Sequence, residues 1–179
     1  MGYTDPGDAV TGAIAPAALW NTGVRDNMRT AIPHLLHAYK ASDESVTSSA
    51  VLQDDNDLFF AVAANEIWTA RFTVIVVSSA TDFDWTLTWP AGATGSFSSL
   101  SVNPGDLTTQ TRRRHLVTSG STISVDMSTS AAEVLEVYGV LVNSSTAGSL
   151  QFRWAQTVSN ATATTVKAGS HVMGCRLSP

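Results

Sequence analysis

Asp54, Asp55 and Asp57, with Asn56 among them, present alternating acidic oxygens of the kind that can hold Ca²⁺. The run lacks the glycine and the distal glutamate of an EF-hand loop, so a solvated turn tipping into a strand accounts for it. Asp82 and Asp84 flank Phe83 and share a strand face, but no positioned acid stands by to match a base, which leaves them facing outward. His34 and His37, at i and i+3 on an expected helix, would need further metal ligands that the sequence does not identify; they read as interface histidines, and His115 and His171 are scattered. Gly92-Ala93-Thr94-Gly95 follows Pro90 without the Lys-Ser/Thr of a phosphate cradle. Serine and threonine abound, yet there is no Gly-x-Ser-x-Gly elbow, and no Ser-His-Asp set follows from spacing. The residues therefore assign no catalytic group, no metal and no cofactor, and the expectation is a protein that is not an enzyme. Trp68, Trp85, Trp89 and Trp154 could stack on sugar, but strict alternation marks such residues as core anchors. Trp89, at a strand end before Pro90, has the best claim to a surface role.

The elements that carry these residues fall into two regimes. Residues 1 to about 15 hold Gly2, Pro6, Gly7 and Gly12 and read as an extended arm. Pro16 suits a first helical turn, and Leu19, Trp20, Val24, Met28, Ile32 and Leu35 then recur at three- to four-residue steps as one narrow apolar stripe. Pro33 is expected to kink or split that helix before His34 to Tyr39. Ala41 to Ala50 is a polar bridge. Beyond it the period becomes two: Phe83, Trp85, Leu87 and Trp89 alternate with polar residues, as do Leu150, Phe152 and Trp154.

Two segments are apolar on both faces. Trp68, Ala70, Phe72, Val74 and Val76 form one side of Ile67 to Val77, with Ile67, Ile75 and Val77 on the other. Leu135, Val137 and Leu141 likewise oppose Val134, Tyr138, Val140 and Val142. A two-layer sandwich covers only one face of each strand, so the second face calls for another subunit or the N-terminal helix. Turn residues at Pro90-Ala91-Gly92, Asn103 to Asp106, Ser119-Gly120-Ser121 and Asn143 to Gly148 separate roughly eight to ten short strands. The fold expected is mainly β, an antiparallel β-sandwich of jelly-roll type, with an immunoglobulin-like arrangement as the next choice, preceded by an arm and a short α-helix. Residues 1–40 form the arm and helix, 41–50 a linker and 51–179 the sandwich.

Composition narrows the partners. Charged residues make up only 14% of the 179, against 44% hydrophobic, a sparse coat that suits a surface set against neighbours. A net charge of −5 argues against a general nucleic-acid surface. Arg112, Arg113 and Arg114 form the only basic run and read as a solvated face or an inter-subunit salt-bridge row. Cys175 is the single cysteine, so no disulfide forms within one chain. The N-terminus carries Asp5 and Asp8 and no Lys or Arg before Arg25, unlike a secretory signal, and no apolar run is long enough for a membrane span.

The stretch Ala9 to Ala31, with its small-residue turn, its Trp20-Asn21 pair and Val24-Arg25-Asp26-Asn27 running into a helix, resembles the opening of phage particle proteins. Val51 to Leu58 followed by Ala64-Asn65-Glu66-Ile67-Trp68 is similar to phage virion domains of the trimeric C1q/TNF-like jelly-roll type. Leu150 to Gln156 and Val166-Lys167-Ala168-Gly169-Ser170 resemble that family's last two strands. The resemblance implies a tailed-phage virion structural protein: a homotrimeric head decoration (cement) protein on the capsid exterior, made in the host cytoplasm, or alternatively a minor tail or baseplate protein whose tip meets a host-surface glycan. There is no fibre shaft between anchor and jelly roll, which favours a protein clipped onto a shell. On this reading Leu19, Trp20, Val24, Arg25 and Met28 dock on the major capsid protein, while Phe72, Val74, Leu135, Val137, Phe152 and Trp154 hold the jelly roll of each trimer subunit.

Overall fold

Where polar and apolar residues alternate, the backbone extends, because only a strand sends successive side chains to opposite faces. The computed structural model describes residues 35–79, 82–102 and 111–177. The arm, the expected helix over residues 16–32 and its docking residues Leu19, Trp20, Val24, Arg25 and Met28 lie outside the described residues.

Among the described residues the strands are β1 (Leu35–Tyr39), β2 (Glu44–Val46), β3 (Gln53–Val62), β4 (Ile67–Val77), β5 (Asp82–Thr88), β6 (Thr94–Val102), β7 (Thr111–Leu116), β8 (Ile123–Asp126), β9 (Glu133–Val142), β10 (Gly148–Gln156), β11 (Thr164–Val166) and β12 (His171–Arg176). One sheet has eight strands in the order β1-β12-β4-β9-β6-β7, with β11 beside β4 and β2 beside β11. The other has four, in the order β3-β10-β5-β8. All pairings are antiparallel. Between β2 and β11, every connection except the one from β6 to β7 passes from one sheet to the other, the jelly-roll-like way of winding two sheets around one core.

The segment after Pro33 departs from expectation. The helical continuation read over His34 to Tyr39 is, where described, the edge strand β1, paired with β12 from Leu35↔Cys175 to Tyr39↔His171. A proline in the sequence just before these residues disfavours a helix running into them, and the open edge of β12 supplies ladder partners that a short isolated helix could not match. Within the polar bridge, Glu44–Val46 is strand β2, paired with β11.

The core is aromatic at its centre. Phe72 of β4 meets Phe152 of β10 across the sheets at 5.8 Å between ring centroids, and Phe60 meets Trp68 at 5.1 Å. Within the four-stranded sheet, Trp85 stacks on Phe152 and Phe83 on Trp154. Phe72, Val74, Leu135, Val137, Phe152 and Trp154 are all fully buried in this core. None of them reaches the outer face of either sheet.

β9 and β6 approach so closely that a Cβ at Gly139 would stand 2.1 Å from the Ser96 carbonyl oxygen and 2.7 Å from Phe97 Cα. Alanine normally favours a strand over glycine; here Gly139→Ala is expected to destabilise by about 1–3 kcal/mol, because the two backbones must separate. Urea unfolding measures it, and an unchanged midpoint would refute the close approach.

Candidate functional site

The residues with the densest chemistry meet where β1 ends. Lys40 follows β1 directly and is 1% exposed, its backbone N–H donating to the Ser170 carbonyl and its own carbonyl accepting from Gly169. Its Nζ lies 2.6 Å from Glu44 Oε2, 2.9 Å from Asp57 Oδ2 and 3.1 Å from Asp55 Oδ1. A register shift between β3 and β10 creates this arrangement: Phe59 faces Gln151 whereas Asp54 faces Arg153, so β3 carries extra residues through Asp55 to Leu58. Such a bulge re-aims side chains that regular alternation would separate. Asp55 turns fully inward, where Oδ1 accepts the backbone N–H groups of Asp57 and Leu58 at 3.0 and 2.9 Å, and Oδ2 accepts the indole N–H of Trp154 at 3.1 Å.

Burial pulls the Lys40 pKa down, but the bonds to Glu44 and Asp57 and the Asp55 charge outweigh it and hold the ammonium well above the usual lysine range. The three carboxylates that could ligate a cation, Glu44, Asp55 and Asp57, thus already surround one. The Ca²⁺ candidate of the sequence is divided: Asp55 and Asp57 join Lys40, while Asp54 points away and pairs with Arg153. Lys40 and Glu44 were not legible as partners, since nothing local to either residue marks it.

A second buried carboxylate closes one end of the sandwich. Glu66, 8% exposed, accepts the Ala63 backbone N–H at 2.8 Å and the Trp68 indole at 2.9 Å, and pairs with Arg176 at 2.7 Å. Burial opposes its charge, but Arg176 and the two N–H donors prevail and hold its pKa below the usual glutamate range. Its contribution is therefore complete above the ordinary value of about 4.3 and fades as pH falls through the lowered folded value. Stability of the natural protein is expected to drop below about pH 4 more steeply than that of Glu66→Gln. Parallel acid slopes in denaturant titrations would contradict this.

The third feature is the outer face of the eight-stranded sheet. Register aligns Leu35, Cys175, Thr69 and Val140 in one row, and His37, Met173, Arg71 and Tyr138 in the next. Leu35 is 72% exposed, Met173 49%, Val134 46% and Val142 44%, so the sheet presents apolar side chains to solvent. Ser96, Ser98 and Gly139 leave a trough of about 770 Å³ between the rows, with the Arg71–Glu136 ion pair along it. The second apolar face read from the sequence is real, though Thr69, Arg71, Thr73 and Glu136 interrupt it.

No protein-family model matches the chain, and no curated protein matches it in sequence. Among solved structures it is similar to a crystal structure of an infectious bursal disease virus VP2 subviral particle, at 9% identity and a TM-score of 0.21. That match covers 79% of this chain and 40% of the other. So faint a likeness bears on neither fold nor function.

The remaining candidates separate cleanly. Trp68, Trp85 and Trp154 are buried and offer no ring to a ligand. Trp89 is half-buried against Phe97, its indole N–H donating to the Ala93 carbonyl. It borders an open cleft of about 440 Å³ with Pro90, Val117, Thr118 and Ser119. Asp84 accepts hydroxyl bonds from Ser124 and Thr157. His37 stands exposed on β1, not on a helix, and His34 lies outside the described residues. His115 bonds Ser98, and His171 bonds the Gly169 carbonyl. Among the described residues no helix is long and apolar enough to cross a membrane.

Proposed function

We propose that this chain is a non-enzymatic structural protein of a tailed-phage virion, a homotrimeric decoration (cement) protein seated on the capsid exterior and bound to the major capsid protein. One observation carries the reading: the outer face of the eight-stranded sheet keeps Leu35, Val134, Val140, Val142 and Met173 uncovered in a single chain. A patch of this kind in a sandwich marks an interaction surface. Copies of the same sheet, arranged around a threefold axis as in C1q/TNF-like jelly rolls, would cover it. The phage-like opening from Ala9 to Ala31 supports the virion assignment, with Leu19, Trp20, Val24, Arg25 and Met28 as the residues that dock on the shell.

The mechanism is mechanical. Three anchors on one trimer act together, so contacts that are weak singly bind at high effective concentration, and a trimer matches a threefold point of the shell. Such work needs no cofactor and no metal, and a net charge of −5 offers nothing to nucleic acid.

Copy number in purified virions tests the reading. Hundreds of copies per particle are expected, and removal of residues 1–34 should abolish particle binding while leaving soluble trimers. A few copies would instead favour a minor tail or baseplate protein, for which the half-exposed Trp89 beside Thr118 and Ser119 is the feature suited to a host-surface glycan.

A further inference from the structure

We propose that Lys40 and Asp55 condense into an intramolecular isopeptide bond, with Glu44 carrying the protons. The constellation supplies each requirement of amide formation. The nucleophile, Lys40 Nζ, is 3.1 Å from Asp55 Oδ1 in a site that excludes water, Lys40 being 1% exposed and the Asp55 side chain 0%. Holding the reactants together in this way replaces a bimolecular encounter and removes the solvent that would favour hydrolysis. Asp55 Oδ1 already accepts the backbone N–H groups of Asp57 and Leu58, two fixed donors where negative charge would gather in a tetrahedral intermediate. Glu44 Oε2, 2.6 Å from Nζ, is placed to accept a proton from the ammonium. Asp57 also touches Nζ, but its side chain is 39% exposed, which leaves Asp55 as the acceptor shielded from hydrolysis.

The step balances without any co-reactant. Because the three carboxylates hold the charge on Lys40, no free amine stands in the site; Glu44 takes a proton from the ammonium as Nζ closes on Asp55 Cγ. Two of the three ammonium protons pass through Glu44 to Oδ2. The Nζ–Cγ bond forms, the Cγ–Oδ2 bond breaks, and Oδ2 leaves as water. Ammonium and carboxylate become a neutral amide with one proton on nitrogen, and nothing is oxidised or reduced.

The bond would tie the residue that follows β1 to β3. A pull on the N-terminal segment could then peel β1 from β12 only as far as Lys40, where a covalent link to the other sheet would take the load. This holds whether or not the chain decorates a capsid.

High-resolution intact mass of the folded full-length protein is the test. The expected mass is one water below that of the sequence, with a branched tryptic peptide joining the Lys40 and Asp55 side chains and no cleavage after Lys40. Lys40→Arg and Asp55→Ala should show full mass. Because either could fail to fold, Glu44→Gln is the decisive variant: folded by circular dichroism, with both reactants present, it should stay uncoupled. A folded natural protein of full mass, ordinary cleavage after Lys40, a branch to Asp57 in place of Asp55, or undiminished coupling in Glu44→Gln would each overturn the proposal.

Discussion

Phe152→Ala is expected to cost about 3–5 kcal/mol, a large share of the roughly 5–15 kcal/mol that holds a domain of this size together. Phe152 lies at the centre of β10, fully buried, with Leu87 opposite it on β5. Its ring contacts Trp85 in its own sheet and Phe72 in the facing sheet, at 6.1 and 5.8 Å between centroids. Truncation therefore opens a cavity bounded by two large rigid rings, which cannot move in to fill it while their backbones stay in register. Phe152→Leu, which leaves less empty volume, should lose less than half as much. Urea unfolding of both variants decides the matter: a loss below about 1 kcal/mol for the alanine variant would mean that the two sheets do not meet at this residue.

Val140→Lys is the second change with a large expected effect, and it acts on the association of the proposed trimer. Val140 sits on the outer face of β9, 39% exposed in the single chain, opposite Thr69 and beside the trough. A lysine there keeps its charge in water while the chain is alone, so the midpoint of monomer unfolding should move little. In a trimer built on this face each copy would bury an unpaired ammonium, at several kcal/mol apiece, and sedimentation should show trimers giving way to monomers. Phe59→Lys is the control. Phe59 is 42% exposed on β3, on the other sheet, and its substitution should leave the trimer intact. If Val140→Lys stays trimeric while Phe59→Lys dissociates, the interface lies on the four-stranded sheet. A natural protein that sediments as a monomer would remove the basis for the trimer.

Periodicity carried much of the architecture, and particular strands show why. The alternation of Trp68, Ala70, Phe72, Val74 and Val76 against Ile67, Ile75 and Val77 is local information, and it already separates the two sides of β4. The same holds for Phe83, Trp85 and Leu87 on β5. The strand LLHAY is different. Its alternation is too short to separate strand from helix, and an apolar stripe at helical spacing upstream pointed the wrong way. Only the free edge of β12 settled it, and that edge is formed by residues far along the chain.

Lys40 shows the same limit at the level of chemistry. The acidic run at Asp54, Asp55 and Asp57 was visible as a cluster of oxygens, but the sequence could not say that a bulge sends Asp54 to Arg153 and the other two to an ammonium.

By itself, then, the order of residues determined a β protein, its inward-facing core side chains and the surplus of apolar sheet, because each follows from neighbours two positions apart. Tertiary structure alone decided that Leu35–Tyr39 is an edge strand, that Lys40 is enclosed by three carboxylates, and that the spare apolar residues of β4 and β9 share the outer face of the eight-stranded sheet with the Arg71–Glu136 ion pair. Those outcomes depend on register between distant strands, and register is chosen by the packing of both sheets at once.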